Sequence, residues 1–291
     1  MNYQLVGEQL FNGLVLGSMY ALVASGLSLV WGSLKMLNFA HGEFYMLGGF
    51  AIYFLFAIYG LPALIAVPLA LLVVLAVGAL VERLTIHPLL DKQGWHENPI
   101  IVTVGLSIFL QNLALRLWGE RFQNVPYFSE GTLVIAGMRM ANQRLIILGV
   151  ALVTVAAGAL LLKRTWLGMS LRATALDRDA ATLTGVNVRA VYTWAMAISA
   201  SLAALAATML APIFSVNPWM GHALLLKAFN ICVLGGLGRL EGAILGGILL
   251  GTVESLTVVF WASEWKDVTA FVLFLAVLWF RPTGLLGTKE W

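Results

Sequence analysis

The stretch MLNFAHGEFYMLGG at 36–49 sets an asparagine, a histidine and a glutamate between long apolar runs. Asn38, His41 and Glu43 can all hydrogen-bond, and His41 and Glu43 can also take up or release a proton. A carboxylate at the centre of a bilayer costs on the order of 2.5–3.5 kcal/mol on insertion scales, so it is kept only where it lines a cavity, finds a partner or lies near an interface. Two readings stand on the residues alone. In one, the three side chains cap a helix that starts near the cytoplasmic surface, with Glu43 at its positive end and Asn38 bonding freed backbone groups. In the other, the same kink lines or gates a path through the membrane.

Catalysis lacks its parts. None of His41, His87, His96 and His222 stands in the H-E-x-x-H spacing of an intramembrane zinc protease. Cys232 is the only cysteine, which excludes an intramolecular disulfide and the cysteine pair of a zinc deaminase. There is no G-x-x-x-x-G-K-[ST] and no G-x-S-x-G, so the chain neither binds ATP through a P-loop nor carries a nucleophile elbow. No metal, no other cofactor and no nucleic-acid partner is expected.

The elements that position these residues are set by composition. Of 291 residues, 60% are hydrophobic and 11% charged, where soluble domains carry about a quarter charged. The apolar runs approach the roughly 20 residues a helix needs to cross a bilayer. The chain is expected to be an all-α, polytopic integral membrane protein of about 8–10 transmembrane helices, some interrupted, forming a single permease domain over 1–291. Spans are placed at 8–31, 42–59, 62–81, 99–117, 145–162, 190–211, 222–238, 242–261 and 268–280. The first 34 residues carry Glu8 and no Lys or Arg, so the first segment is expected to remain as a span.

The loop 163–189 carries Lys163, Arg164, Arg172, Arg178 and Arg189 against Asp177 and Asp179, and the positive-inside rule puts it in the cytoplasm. Alternation then leaves the N-terminus outside and the C-terminus inside. Within this loop, 171–183 reads as one helical run; Gly185 breaks it, and Asn187 can cap the next helix. Such a charged helix at the membrane surface suits docking into a soluble partner. On the opposite side, GTLVIAGMRM is expected to form a short hairpin.

Gly13 and Gly17, and later Gly238, Gly242 and Gly246, repeat the G-x-x-x-G spacing that lets helix backbones approach closely. Seven glycines between 235 and 251 also suggest a broken or re-entrant element near Gly235, Gly236 and Gly238. The pattern E-x-x-x-L-G-G at 43–49 and 241–247 suggests an internal repeat, and interrupted helices at matching positions of two halves are where transporters place their pathways. Ionisable residues deep in the spans are few, mainly Lys227 and Glu254, which argues against an ion-coupled carrier.

Four ordered segments carry a resemblance: GLVLGSMYALVASGLSLVWGSLKMLNFAHGEFYMLGG, ALDRDAATLTGVNVRAVYTWAMAISASLAALAATMLAP, KAFNICVLGGLGRLEGAILGGILLG and LWFRPTGLLG. Together they resemble the inner-membrane permease subunits of branched-chain amino-acid ABC importers; urea and short-chain amide permeases are closely similar. The resemblance implies a permease with no catalytic activity of its own, multi-pass in a bacterial inner membrane. It implies as partners a second related permease, two cytoplasmic ATPase subunits, a periplasmic binding protein and the lipid bilayer. It further implies an ATPase-coupling loop at Arg172, Leu176, Asp177, Asp179, Ala180, Gly185 and Asn187. A translocation path or gate is implied at Asn38, Phe39, His41, Gly42 and Glu43, and at Gly235, Gly236, Gly238 and Gly246. Trp31 and Lys35 depart from the family's pattern, which leaves the cargo open between branched-chain or other hydrophobic amino acids and urea or amides. A stand-alone facilitator for a small neutral solute is the alternative outside this class.

Overall fold

Backbone groups cannot stay unpaired in hydrocarbon, so a chain this apolar resolves into helices. A computed structural model describes residues 3–89, 98–135 and 138–287; His96 and the last four residues lie outside the described residues. In chain order, α1 is Tyr3–Leu34 and α2 is His41–Ile52, continued by a π-helical stretch, Tyr53–Ile58. Next, α3 is Ala63–Val81, extended through Glu82–Ile86 and His87–Leu89, and α4 is Asn98–Trp118. A hairpin of β1, Thr132–Ile135, and β2, Met138–Ala141, leads into α5, Asn142–Arg164. Then come α6 (Trp166–Leu176), α7 (Arg178–Leu183), α8 (Val188–Leu210), α9 (Met220–Gly235), α10 (Leu240–Phe260) and α11 (Lys266–Phe280).

The protein is all-α and polytopic. Among the described residues, seven helical stretches are long and apolar enough to cross a membrane. The expected spans near 222–238 and 268–280 correspond to α9 and α11, of 16 and 15 residues. At 1.5 Å per residue these reach about 24 and 22 Å, short of a hydrocarbon core about 30 Å thick. The expected hairpin is present: Thr132 pairs with Ala141 and Leu133 with Met140. It is tied to the start of α1, where Arg139 N–H donates to Glu8 Oε1 at 3.0 Å.

Two long helices form the centre. In the most apolar stretches of α1 and α8, 78% of residues are buried, against 17% for α4 and 11% for α5. α4 and α5 therefore lie at the periphery of the bundle. The glycine spacing on α1 packs as expected: a methyl on Gly13 would lie 2.7 Å from Thr252 Cα, and one on Gly17 2.8 Å from Ile248 Cα, both on α10.

The packing has a twofold logic. α1 packs along α10 as α8 packs along α3; α2 lies on α8 as α9 lies on α1; and α1 crosses α8 while α2 meets α9. Exchanging α1–α2–α3 for α8–α9–α10 maps this set of neighbours onto itself. Since α1 runs toward the end of the bundle that carries α6 and α7, and α8 runs away from it, the halves are inverted. The repeat suggested by E-x-x-x-L-G-G is corrected here: its copies fall on α2 and α10, which are not counterparts. In a chain rich in glycine and leucine, that pattern arises in packing stripes of unrelated helices.

Candidate translocation and coupling sites

At Lys35 the backbone turns with φ +53°, and 35–40 runs back into the bundle without helical structure. Asn38 stabilises this return. Its Oδ1 accepts the Ala40 N–H at 3.0 Å, and its Nδ2 reaches Met196 Sδ on α8 at 3.2 Å. Phe39 N–H donates to Thr103 Oγ1 of α4 at 3.2 Å, and the Phe39 ring packs against Phe229 of α9 with centroids 5.2 Å apart.

His41, the first residue of α2, is fully buried, with Nε2 2.9 Å from Val23 O of α1 and Nδ1 3.2 Å from Ser199 Oγ of α8. A carbonyl can only accept, so the neutral ring carries its proton on Nε2 and accepts from Ser199 on Nδ1. Val23 lies about 16 Å along α1 from Leu34, and Ser199 about 16 Å along α8 from Val188, at 1.5 Å per residue. Hence α2 begins near mid-bilayer. This corrects the expectation of a helix capped near the cytoplasmic surface: His41 cross-links three helices, and the N-cap residue Ala40 has no side-chain cap. Glu43 is in the first turn as expected, buried, and its Oε1 accepts the Ser107 hydroxyl at 2.9 Å.

The inverted half repeats this construction. After α8 the chain returns through 211–219, where Val216 bridges Gln123 with two 2.8 Å backbone bonds. Asn217 Oδ1 accepts the Trp219 N–H at 3.0 Å, the same two-residue reach that Asn38 makes. α9 then starts beside α2, because Gly42 and Gly221 touch: a Cβ on either would run into the carbonyl oxygen of the other. Two half-helices thus meet N-terminus to N-terminus near mid-bilayer. Sequence reasoning singled out Asn38 and Gly42 and missed Asn217 and Gly221. The available signal was N-x-x-x-G, present at 38–42 and 217–221.

The other predicted glycines gather at the end of the bundle that carries α6 and α7. Gly235 closes α9, Gly236 follows with φ +105°, and Gly238 with φ +78° leads into α10. The expected break is therefore a tight α9–α10 turn at the bundle's end, whereas the re-entrant segments are 35–40 and 211–219. The tail closes over the turn, with Leu285 N–H donating to Leu234 O at 2.8 Å and Leu286 N–H to Gly235 O at 3.1 Å. Gly246 is buried on α10 against α9, where a methyl would lie 3.0 Å from Ile231 O.

The segment expected as one helix over 171–183 is two. Asp177 is extended (φ −154°, ψ 114°), ends α6 and caps α7, its Oδ1 accepting the Asp179 and Ala180 N–H groups at 2.9 and 3.0 Å. An aspartate's local bonds outcompete helix continuation here. Gly185 has φ +87° and Asn187 caps α8 by accepting the Ala190 N–H at 3.1 Å, both as the sequence suggested. Arg172, Asp177, Asp179, Ala180 and Gly185 are exposed, and Leu176 and Leu183 stand 87% and 89% exposed. This elbow runs directly into α8.

Lys227 and Glu254, the deep ionisable residues, are partners. Lys227 Nζ donates to Glu254 Oε1 at 2.7 Å, and Tyr20 O–H of α1 donates to Glu254 Oε2 at 3.0 Å. The second carboxylate on Lys227, Asp267 Oδ1 at 3.0 Å, was not singled out from the sequence.

Apolar helices in two inverted halves, broken helices meeting at mid-bilayer and a polar elbow at one end define a membrane permease. The chain belongs to the family described as branched-chain amino acid transport system / permease component, whose pattern matches residues 9–278. It is 36% identical to the high-affinity branched-chain amino acid transport system permease protein BraD of Pseudomonas aeruginosa, over 97% of this chain and 96% of that protein. It is 34% identical to the corresponding protein LivH of Escherichia coli K12, over 97% of this chain and 96% of LivH. The autoinducer 2 import system permease protein LsrC of Yersinia enterocolitica is 33% identical over 64% of this chain and 53% of its own length. No solved structure matches the chain significantly.

Proposed function

We propose that this chain is the path-forming permease subunit of an ATP-driven importer of branched-chain or other hydrophobic amino acids in a bacterial inner membrane. ATP hydrolysis belongs to two cytoplasmic partner subunits, cargo arrives from a periplasmic binding protein, and a second related permease completes the path. The names of the full-length relatives support the cargo. The observation that carries the mechanism is the α6–α7 elbow. It presents Leu176 and Leu183 to solvent and is rigidly capped by Asp177 and Asn187. A soluble motor that holds this elbow differently with and without ATP moves α8 with it, and only such a difference shifts the equilibrium between outward- and inward-facing states.

In this reading the residues around Asn38, Phe39, His41, Gly42 and Glu43 form the gate, where α2 and α9 cross. Gly235, Gly236, Gly238 and Gly246 let α9 and α10 slide or tilt together. The elbow end is cytoplasmic and the hairpin end periplasmic, with the N-terminus outside. Supporting this, Lys35, Arg172 and Arg239 line one cavity of about 620 Å³ at the elbow end, the side on which basic residues are retained.

The test is to tag the chain, extract it from native membranes in mild detergent and identify what accompanies it by mass spectrometry. A P-loop ATPase and a second permease support the importer, and binding assays on the cognate periplasmic protein then separate amino acids from urea or amides. Recovery of the folded chain alone refutes the motor reading.

A further inference from the structure

α9 is covered on one side and bare on the other. Leu224, Leu225 and Ala228 are buried, while His222, Ala223 and Leu226 are exposed and Lys227 lies beside them with 20% of its side chain open. This bare face is unlike the middle of α5, where the exposed residues are apolar, such as Leu152, Val153 and Leu160. It carries charge at depth. Tyr20 lies about 21 Å along α1 from Leu34 and Glu254 about 21 Å along α10 from Leu240, while the Lys227 backbone lies about 12 Å along α9 from Gly235 and Asp267 stands in the first turn of α11, so the lysine stem climbs from the middle of a core about 30 Å thick toward the α10–α11 turn. Ionisable side chains within spans almost always face the bundle interior or a water-filled cavity rather than lipid chains.

The cluster is asymmetric. Glu254 is buried behind Lys227 and held by Tyr20, whereas Asp267, at the start of α11, is 69% exposed. Lys227 therefore keeps its charge partner if Asp267 lets go. We propose that the bare face of α9 is a wall of the aqueous translocation path, and that Lys227 and Asp267 on it hold the two charged ends of a passing zwitterionic amino acid. The substrate inserts between them: its carboxylate accepts the Lys227 N–H that Asp267 gives up, and its ammonium donates to Asp267. One ion pair becomes two, and no buried charge is stranded. A solute with only one charged end satisfies only half of this. The zwitterion contact rests on the amino-acid reading of the cargo; the path wall does not.

The test uses the assembled importer, with both permeases and the ATPases, in vesicles. Cys232, the only cysteine, is buried, with its thiol donating to Ala24 O at 3.1 Å, so it needs no replacement. Ala223→Cys and Leu226→Cys are expected to react with a charged, water-soluble methanethiosulfonate, and L-leucine delivered by the binding protein to slow the reaction. Leu152→Cys and Val153→Cys are expected not to react. Asp267→Asn, which leaves Lys227, Glu254 and Tyr20 in place, is expected to lose leucine uptake at least tenfold while loaded binding protein still stimulates ATP hydrolysis. Unreactive 223 and 226 overturn the path wall, since partner or lipid then covers the face. Normal uptake by Asp267→Asn, or loss of its ATPase stimulation, overturns the zwitterion contact. A wild-type importer that takes up no leucine while 223 and 226 react defeats the cargo reading and the zwitterion contact together, and leaves the wall standing.

Discussion

Replacement of Gly185 separates the shape of the elbow from its bulk. The α7–α8 turn closes with Gly185 N–H donating to Thr182 O at 3.0 Å and Val186 N–H to Ala181 O at 3.1 Å. The second bond requires φ +87° at Gly185, the torsion that aims the following peptide back at α7, yet a Cβ added there would meet nothing within 4 Å. A new side chain therefore costs backbone strain alone. That strain is about 1–2 kcal/mol for an ordinary L-residue, which shifts the population of the native turn by roughly 5- to 30-fold. Asparagine tolerates this region better, and a β-branched residue tolerates it worst. Uptake measured in vesicles holding the assembled importer is thus expected to fall in the order Asn, Ala, Val, with Val abolishing transport and all three inserting and assembling. If activity instead follows side-chain volume, with Ala best and Asn close to Val, the reasoning from backbone geometry is wrong. Normal uptake by Gly185→Val removes the elbow from the coupling mechanism.

Gly42→Ala and Gly221→Ala each force the half-helices apart at one shared contact and are expected to cost about 1–3 kcal/mol by overpacking. Because the first methyl makes room for the second, the double variant costs less than the sum; additive losses of thermal stability in detergent would contradict the contact. Lys227→Met leaves Glu254 buried without its cation and is expected to destabilise by about 3–5 kcal/mol; adding Glu254→Leu recovers most of that in the same melting assay, and no recovery would refute the pairing. Glu43→Gln keeps an oxygen to accept from Ser107 and is expected to assemble and transport near the wild-type level, whereas Glu43→Ala loses both. A Gln variant that assembles but does not transport would instead assign the charge a role in the gate.

The amino-acid sequence by itself determined what is local. Its hydropathy set the membrane environment, the helical class and the positions of nine apolar segments. Its punctuation set the break at Gly185, the cap at Asn187, an interruption near Gly236 and the hairpin at 132–141, because each depends on dihedral freedom or a hydrogen bond within a few residues. Asp177 was equally local but was masked by the alanines and leucines around it, which favour a continuous helix.

Tertiary structure decided depth and correspondence. Polarity marks NFAHGEF as unusual at an interface or at mid-bilayer alike; the contacts of His41 with Val23 and Ser199 make it mid-bilayer. The two halves are joined by Asn38 with Asn217 and Gly42 with Gly221, residues whose likeness lies in a backbone bond and a close approach that the more conspicuous E-x-x-x-L-G-G match concealed. Lys227, Glu254, Asp267 and Tyr20 stand on four helices, and their pairing exists only after those helices pack. Charges in a membrane interior are tolerated only in company, and the packing of the helices supplies that company.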